Sequence, residues 1–95
     1  MAKYGILYWQ EIPSLVEATD DGGTHKFLLS QRFQALIDLL AMKRGLAGTD
    51  SYLEEWSRGE NQERHGTAEE VVKAVSEELE AQFDDLKAAA VGHNL

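Results

Sequence analysis

At 95 residues, with 43% hydrophobic and 27% charged side chains, the chain has the balance of a folded globular protein: long enough for one core, too short to divide. The absence of cysteine excludes a disulfide framework, a thiolate metal site and a thiol nucleophile, and suits a reducing, cytoplasmic setting. The net charge of -8 resides in residues 49–95, where twelve acids face four bases, while residues 1–48 balance at five of each. Such an acidic half repels phosphate backbones and anionic headgroups, so neither nucleic acid nor a membrane surface is expected as a direct partner.

The first apolar segment, Tyr4 to Trp9, is too short for a signal-peptide core, and no run approaches the roughly 20 apolar residues of a membrane span. Its residues are strand formers on both alternating faces, the pattern of a central strand. Pro13 cannot donate a ladder hydrogen bond, so Glu11-Ile12-Pro13 marks a bend before a second strand over 14–18. Asp20-Asp21-Gly22-Gly23 reads as a turn, and a third strand over 25–29 completes a hairpin.

Ser30 suits an N-cap, and Phe33, Leu36, Ile37, Leu40 and Ala41 then recur at helical spacing until Gly45 and Gly48 stop the helix. A shorter helix is expected from Thr49 or Asp50 to Gly59, showing Tyr52, Leu53 and Trp56 on one side. The polar stretch 57–66 reads as an exposed loop. Thr67 and Glu70 form a capping box that opens one long acidic helix, with a stripe of Ala68, Val72, Val75, Leu79, Gln82, Leu86 and Ala89, widened by Val71 and Phe83. The tail from residue 90 or 91 onward lacks periodicity and is expected to fray. The expected fold is thus a single α+β domain over 1–95, a three-stranded antiparallel sheet packed by three helices.

No chemistry-bearing motif emerges. The three histidines lack metal-ligand spacing, and Asp20-Asp21-Gly22-Gly23 lacks the alternating oxygen ligands of a calcium loop. There is no phosphate-binding glycine loop, and the many carboxylates read as solubilising, so no catalytic residue, metal or cofactor is expected. The aromatic set is more informative. A strand apolar on both faces needs cover on both, and three helices of this size cover one. The other face would be an apolar patch for a partner, with Tyr8, Trp9, Ile12, Tyr52 and Trp56 as its candidate residues.

The chain resembles a bacterial family named virulence factor, whose domain also occurs in a larger protein, conserved virulence factor C. The resemblance rests on Tyr8-Trp9-Gln10-Glu11-Ile12-Pro13 with Val16, on Arg32-Phe33-Gln34 with Ala35, Ile37, Asp38, Ala41 and Met42, and on Gly48-Thr49-Asp50 with Tyr52-Leu53 and Glu55-Trp56. It covers 6–58 well and the C-terminal helix loosely, and it implies a shared fold. It departs at Asp20-Asp21-Gly22-Gly23-Thr24, where family members carry a basic hairpin. For stand-alone members the resemblance implies a place among one-carbon genes for folate- and corrinoid-dependent methyl transfer. The expected role is then a non-catalytic interaction or accessory module, its partner a protein such as a methyltransferase or reductase. A ligand-binding or enzymatic subunit of such a system is the alternative, and a homodimer seamed by the long helix is a further reading.

Overall fold

Two tight hairpins set the sheet. In the computed structural model, which describes residues 1–91, β1 (Ala2–Trp9) turns through Gln10 and Glu11 into β2 (Ile12–Asp20), and β2 turns through Asp21 and Gly22 into β3 (Gly23–Leu28). The first turn places Gln10 at φ 51, a left-handed conformation uncommon outside glycine. Its amide donates to the Glu55 carbonyl at 3.1 Å, tying the turn to a later part of the chain. The strand after it starts earlier than the expected 14–18, and Pro13 lies inside it. The ladder shifts register there, Leu7 facing Leu15 and Tyr8 facing Pro13, so Ser14 is the extra residue of a bulge that accommodates a proline.

The stretch expected as an exposed loop instead supplies two short strands. β4 (Trp56–Arg58) and β5 (Gln62–Arg64) both pair antiparallel with β1, so the sheet has five strands rather than three, ordered β3-β2-β1-β4 with β5 beside β4 on the edge of β1. Their polar sequence hides them, because the pairing partner lies some fifty residues upstream. Gly5 makes the approach possible: a Cβ there would stand 2.8 Å from Asn61 Oδ1.

Helix α1 (Gln31–Lys43) buries the five residues expected, Phe33, Leu36, Ile37, Leu40 and Ala41. It closes with a Schellman arrangement, Gly45 at φ 72 donating to Met42 O and Leu46 to Ala41 O. The next helix, α2 (Asp50–Glu54), stops well short of Gly59, which leaves Trp56 on β4 rather than on a helix. The capping box forms as expected, Glu70 N donating to Thr67 Oγ1 at 3.2 Å and Thr67 N to Glu70 Oε1 at 3.0 Å.

The expected single long helix is two, α3 (Ala68–Ala81) and α4 (Phe83–Val91), with Gln82 between them. No glycine or proline marks this break. It lets Phe83 meet Phe33 edge-on at 5.0 Å under the Arg32 guanidinium. Of the long stripe, Ala68, Val71, Val72, Val75 and Phe83 are buried, Leu79 and Leu86 half-buried, and Ala89 exposed. The frayed tail is corrected at its start: Ala90 is buried and α4 runs to Val91, while 92–95 lie outside the described residues.

One apolar cluster joins the sheet and helices, with α3 packed on β1, β2 and β3 and α1 on β2. No helix among the described residues is long and apolar enough to cross a membrane.

Candidate functional site

The five candidate partner residues divide on folding. Trp9 and Ile12 are both 0% exposed and belong to the core, which removes them from any contact surface. The indole Nε1 of Trp9 donates to the Tyr52 carbonyl at 2.9 Å, and the rings of Trp9 and Tyr52 lie 5.5 Å apart. Trp56 stands edge-on to Tyr52 at 6.3 Å. Tyr52 and Trp56 are half-buried against the core, and Tyr8 is half-buried beside Gly59. Burial also pushes the Tyr8 hydroxyl above its ordinary pKa, with Tyr4 adding to the rise. These aromatics join β1, α2 and β4.

The residues that carry the family resemblance are likewise structural. Arg44 grips both oxygens of Glu11 at 2.8 and 2.9 Å and also bonds Gln10, fastening the first hairpin to the end of α1. The bonds from Arg44 hold the Glu11 carboxyl below its usual range against the opposing effect of burial. Arg32 reaches Glu80 at the end of α3 through its side-chain Oε1 at 3.1 Å and its carbonyl at 2.6 Å.

Six large apolar side chains remain exposed, Met1, Leu39, Met42 and Leu53 elsewhere and Phe27 and Leu28 next to each other on β3. All six residues of β3 are exposed, Phe27 at 48% and Leu28 at 67%. β3 pairs only with β2, so its other edge is free among the described residues. The two-residue turn makes Asp20 and Gly23 a hydrogen-bonded pair, and the alternation continues to Leu29 N, which donates to Ser14 O at 2.9 Å. The backbone groups of Thr24, Lys26 and Leu28 therefore point away from β2, toward the free edge.

Beside that edge a groove of about 590 Å³ separates β3 from α3. His25, Lys26 and Phe27 line the strand side; Glu69, Val72, Lys73, Ser76, Glu77 and Glu80 line the helix side. Two contacts fix its width. Asp20 accepts from Ala68 N at 2.7 Å and from Gly22 N at 2.7 Å, so one carboxylate shapes the second hairpin and caps the start of α3; these bonds keep its pKa low. At the far end Glu80 accepts from Ser30 N and Ser30 Oγ, each at 2.8 Å. Burial raises the pKa of Glu80, but the bonds from Ser30 and Arg32 outweigh it and the net shift is downward.

On the groove floor Ser76 is 2% exposed, and its Oγ has no hydrogen-bond partner among the described residues. Buried hydroxyls are seldom left unpaired. Lys26 is paired with Glu17 at 3.4 Å and Glu80 with Arg32, whereas Glu69, Glu77 and Lys73 have no ion-pair partner among the described residues. No three histidine or acidic side chains among the described residues gather as a metal centre. Sequence reasoning placed a third strand at 25–29, against the observed Gly23–Leu28, but did not read its free edge. The available signal was that the last strand of a meander carries Phe27 and Leu28 with no later strand to cover it.

No curated protein and no solved structure matches the chain. A family model described as Virulence factor matches residues 7–90, so the chain belongs to the virulence factor family.

Proposed function

We propose that this protein is an interaction or accessory module that accepts an extended segment of another protein as a sixth strand on the free edge of β3. The observation that carries the reading is an open edge six residues long with Phe27 and Leu28 uncovered on it. Exposed edges are ordinarily blunted by lysines, covering, bulges or closure, because unpaired amides and carbonyls invite another strand; β3 carries one lysine, Lys26, and it is paired with Glu17 at 3.4 Å. Strand addition supplies main-chain bonds for affinity, and alternate side chains entering neighbouring pockets supply selectivity.

Lys26→Pro tests this directly. Its amide points to the free edge, so proline removes a donor needed by an incoming strand while the ladder to β2 stays intact. Quantitative capture from native cells with wild type and Lys26→Pro should differ by the true partner, lost with the variant although its circular dichroism is unchanged. An identical captured set would refute the reading. Methyltransferases and reductases of one-carbon metabolism, which the family resemblance implies as partners, are the first proteins to seek in that set.

A further inference from the structure

Building on β3 as an accepting edge, we infer that the accepted segment presents the pattern basic, any, threonine, any, basic toward α3. Alternate residues of a strand face the same side, so positions i, i+2 and i+4 of an added strand would lie over α3 and span about 14 Å. Glu69 and Glu77, eight positions apart on α3, are separated by about 12 Å along the helix axis. Both line the groove, and neither has a cationic partner among the described residues. Lys73 stands between them and bridges neither, so each of the two carboxylates is left to a cation from outside, on a chain whose net charge is already -8. The outer two positions of the pattern are therefore basic.

The central position meets Phe27 and Val72 together with the unpaired Ser76 hydroxyl. A lysine or glutamate there would bury a charge on an apolar floor, and a purely apolar residue would leave Ser76 Oγ unpaired. Threonine answers both demands, its methyl group against Phe27 and Val72 and its hydroxyl bonded to Ser76.

Calorimetric titration with synthetic nine-residue peptides tests the pattern. The central five residues of the reference peptide are lysine, serine, threonine, serine and lysine. One relative has valine at the centre, one has glutamate in place of both lysines, and one has N-methylated backbone amides. The lysine peptide should bind about tenfold more tightly than the glutamate peptide, and Glu69→Lys combined with Glu77→Lys should reverse that preference. Threonine should exceed valine about fivefold on wild type and not at all on Ser76→Ala. Sites 69 and 77 are exposed, but Glu69 lies in the first turn of α3, where a cation is unfavourable, so circular dichroism of the double variant is read beside its titration.

Equal binding of the lysine and glutamate peptides, with the N-methylated one inactive, would overturn the residue pattern while leaving the accepting edge intact. If no peptide bound and hydrogen exchange of the β3 amides never slowed, both would fall. A concentration-dependent dimer in sedimentation, dissolved by Phe27→Glu, would put a second copy on this edge and overturn the inference.

Discussion

Trp9 contributes to the core through its volume and also through its one polar atom. Fully buried beside Ile12, it satisfies its own N–H with the Tyr52 carbonyl and so links β1 to α2. Truncating a buried aromatic of this size typically costs about 3–5 kcal/mol, a large share of the roughly 5–15 kcal/mol that holds a small domain together. Trp9→Ala should therefore lower the urea midpoint sharply, whereas the half-buried Trp56→Ala should cost markedly less. Equal losses in urea denaturation would show that the two indoles are equally enclosed. Trp9→Phe isolates the polar contribution: it keeps most of the packing and loses a hydrogen bond whose deletion costs about 1–3 kcal/mol.

At the level of elements, α1 begins without a side-chain cap of its own. Ser30 occupies the N-cap, but its hydroxyl turns to Glu80, whose carboxylate also takes the Ser30 amide. Helix α3 thus provides a negative group at the positive end of α1 and holds the far end of the groove. Glu80→Ala should destabilise by about 1–2 kcal/mol, in the range of a lost helix cap with its hydrogen bonds. Glu78 is the contrast. It bonds Arg64 at 2.6 and 3.0 Å on an exposed surface, and pairs of that kind add little. Thermal unfolding of Glu78→Ala should be nearly unchanged, and a midpoint loss as large as that of Glu80→Ala would contradict this assignment.

Across the whole molecule, six carboxylates are held below their ordinary pKa values by specific partners: Glu11, Glu17, Asp20, Glu70, Glu78 and Glu80. A depressed pKa means that the unfolded chain takes up protons first as pH falls. The stabilisation is therefore complete above the ordinary values of 3.8 for aspartate and 4.5 for glutamate, and is lost as pH drops through the lower folded values. Nine lysines and arginines with three histidines then stand against few remaining negative charges. Thermal midpoints should vary little between pH 7 and 5 and fall steeply toward pH 3. An unchanged midpoint at pH 3 would show that these bonds contribute nothing to folding.

Local chemistry was enough to define much of this molecule from its sequence. The second hairpin turn, the Thr67–Glu70 box, the α1 stripe and its glycine stop each depend on residues a few positions apart, as does the two-faced apolar run that makes β1 central, whereas the first turn falls at Gln10 and Glu11 rather than at Pro13. What depended on distant partners was decided only by the tertiary structure. β4 and β5 exist because β1 offers an edge to polar segments some fifty residues away, and α3 ends at Gln82 because Phe83 packs on Phe33. The placement of the aromatics followed the same rule: α2 and β4 fold over Trp9, while Phe27 and Leu28 on β3 are among the large apolar side chains left exposed. An alternating strand reveals that it has two faces, but which face, or which edge, remains uncovered depends on every other element that packs on the sheet.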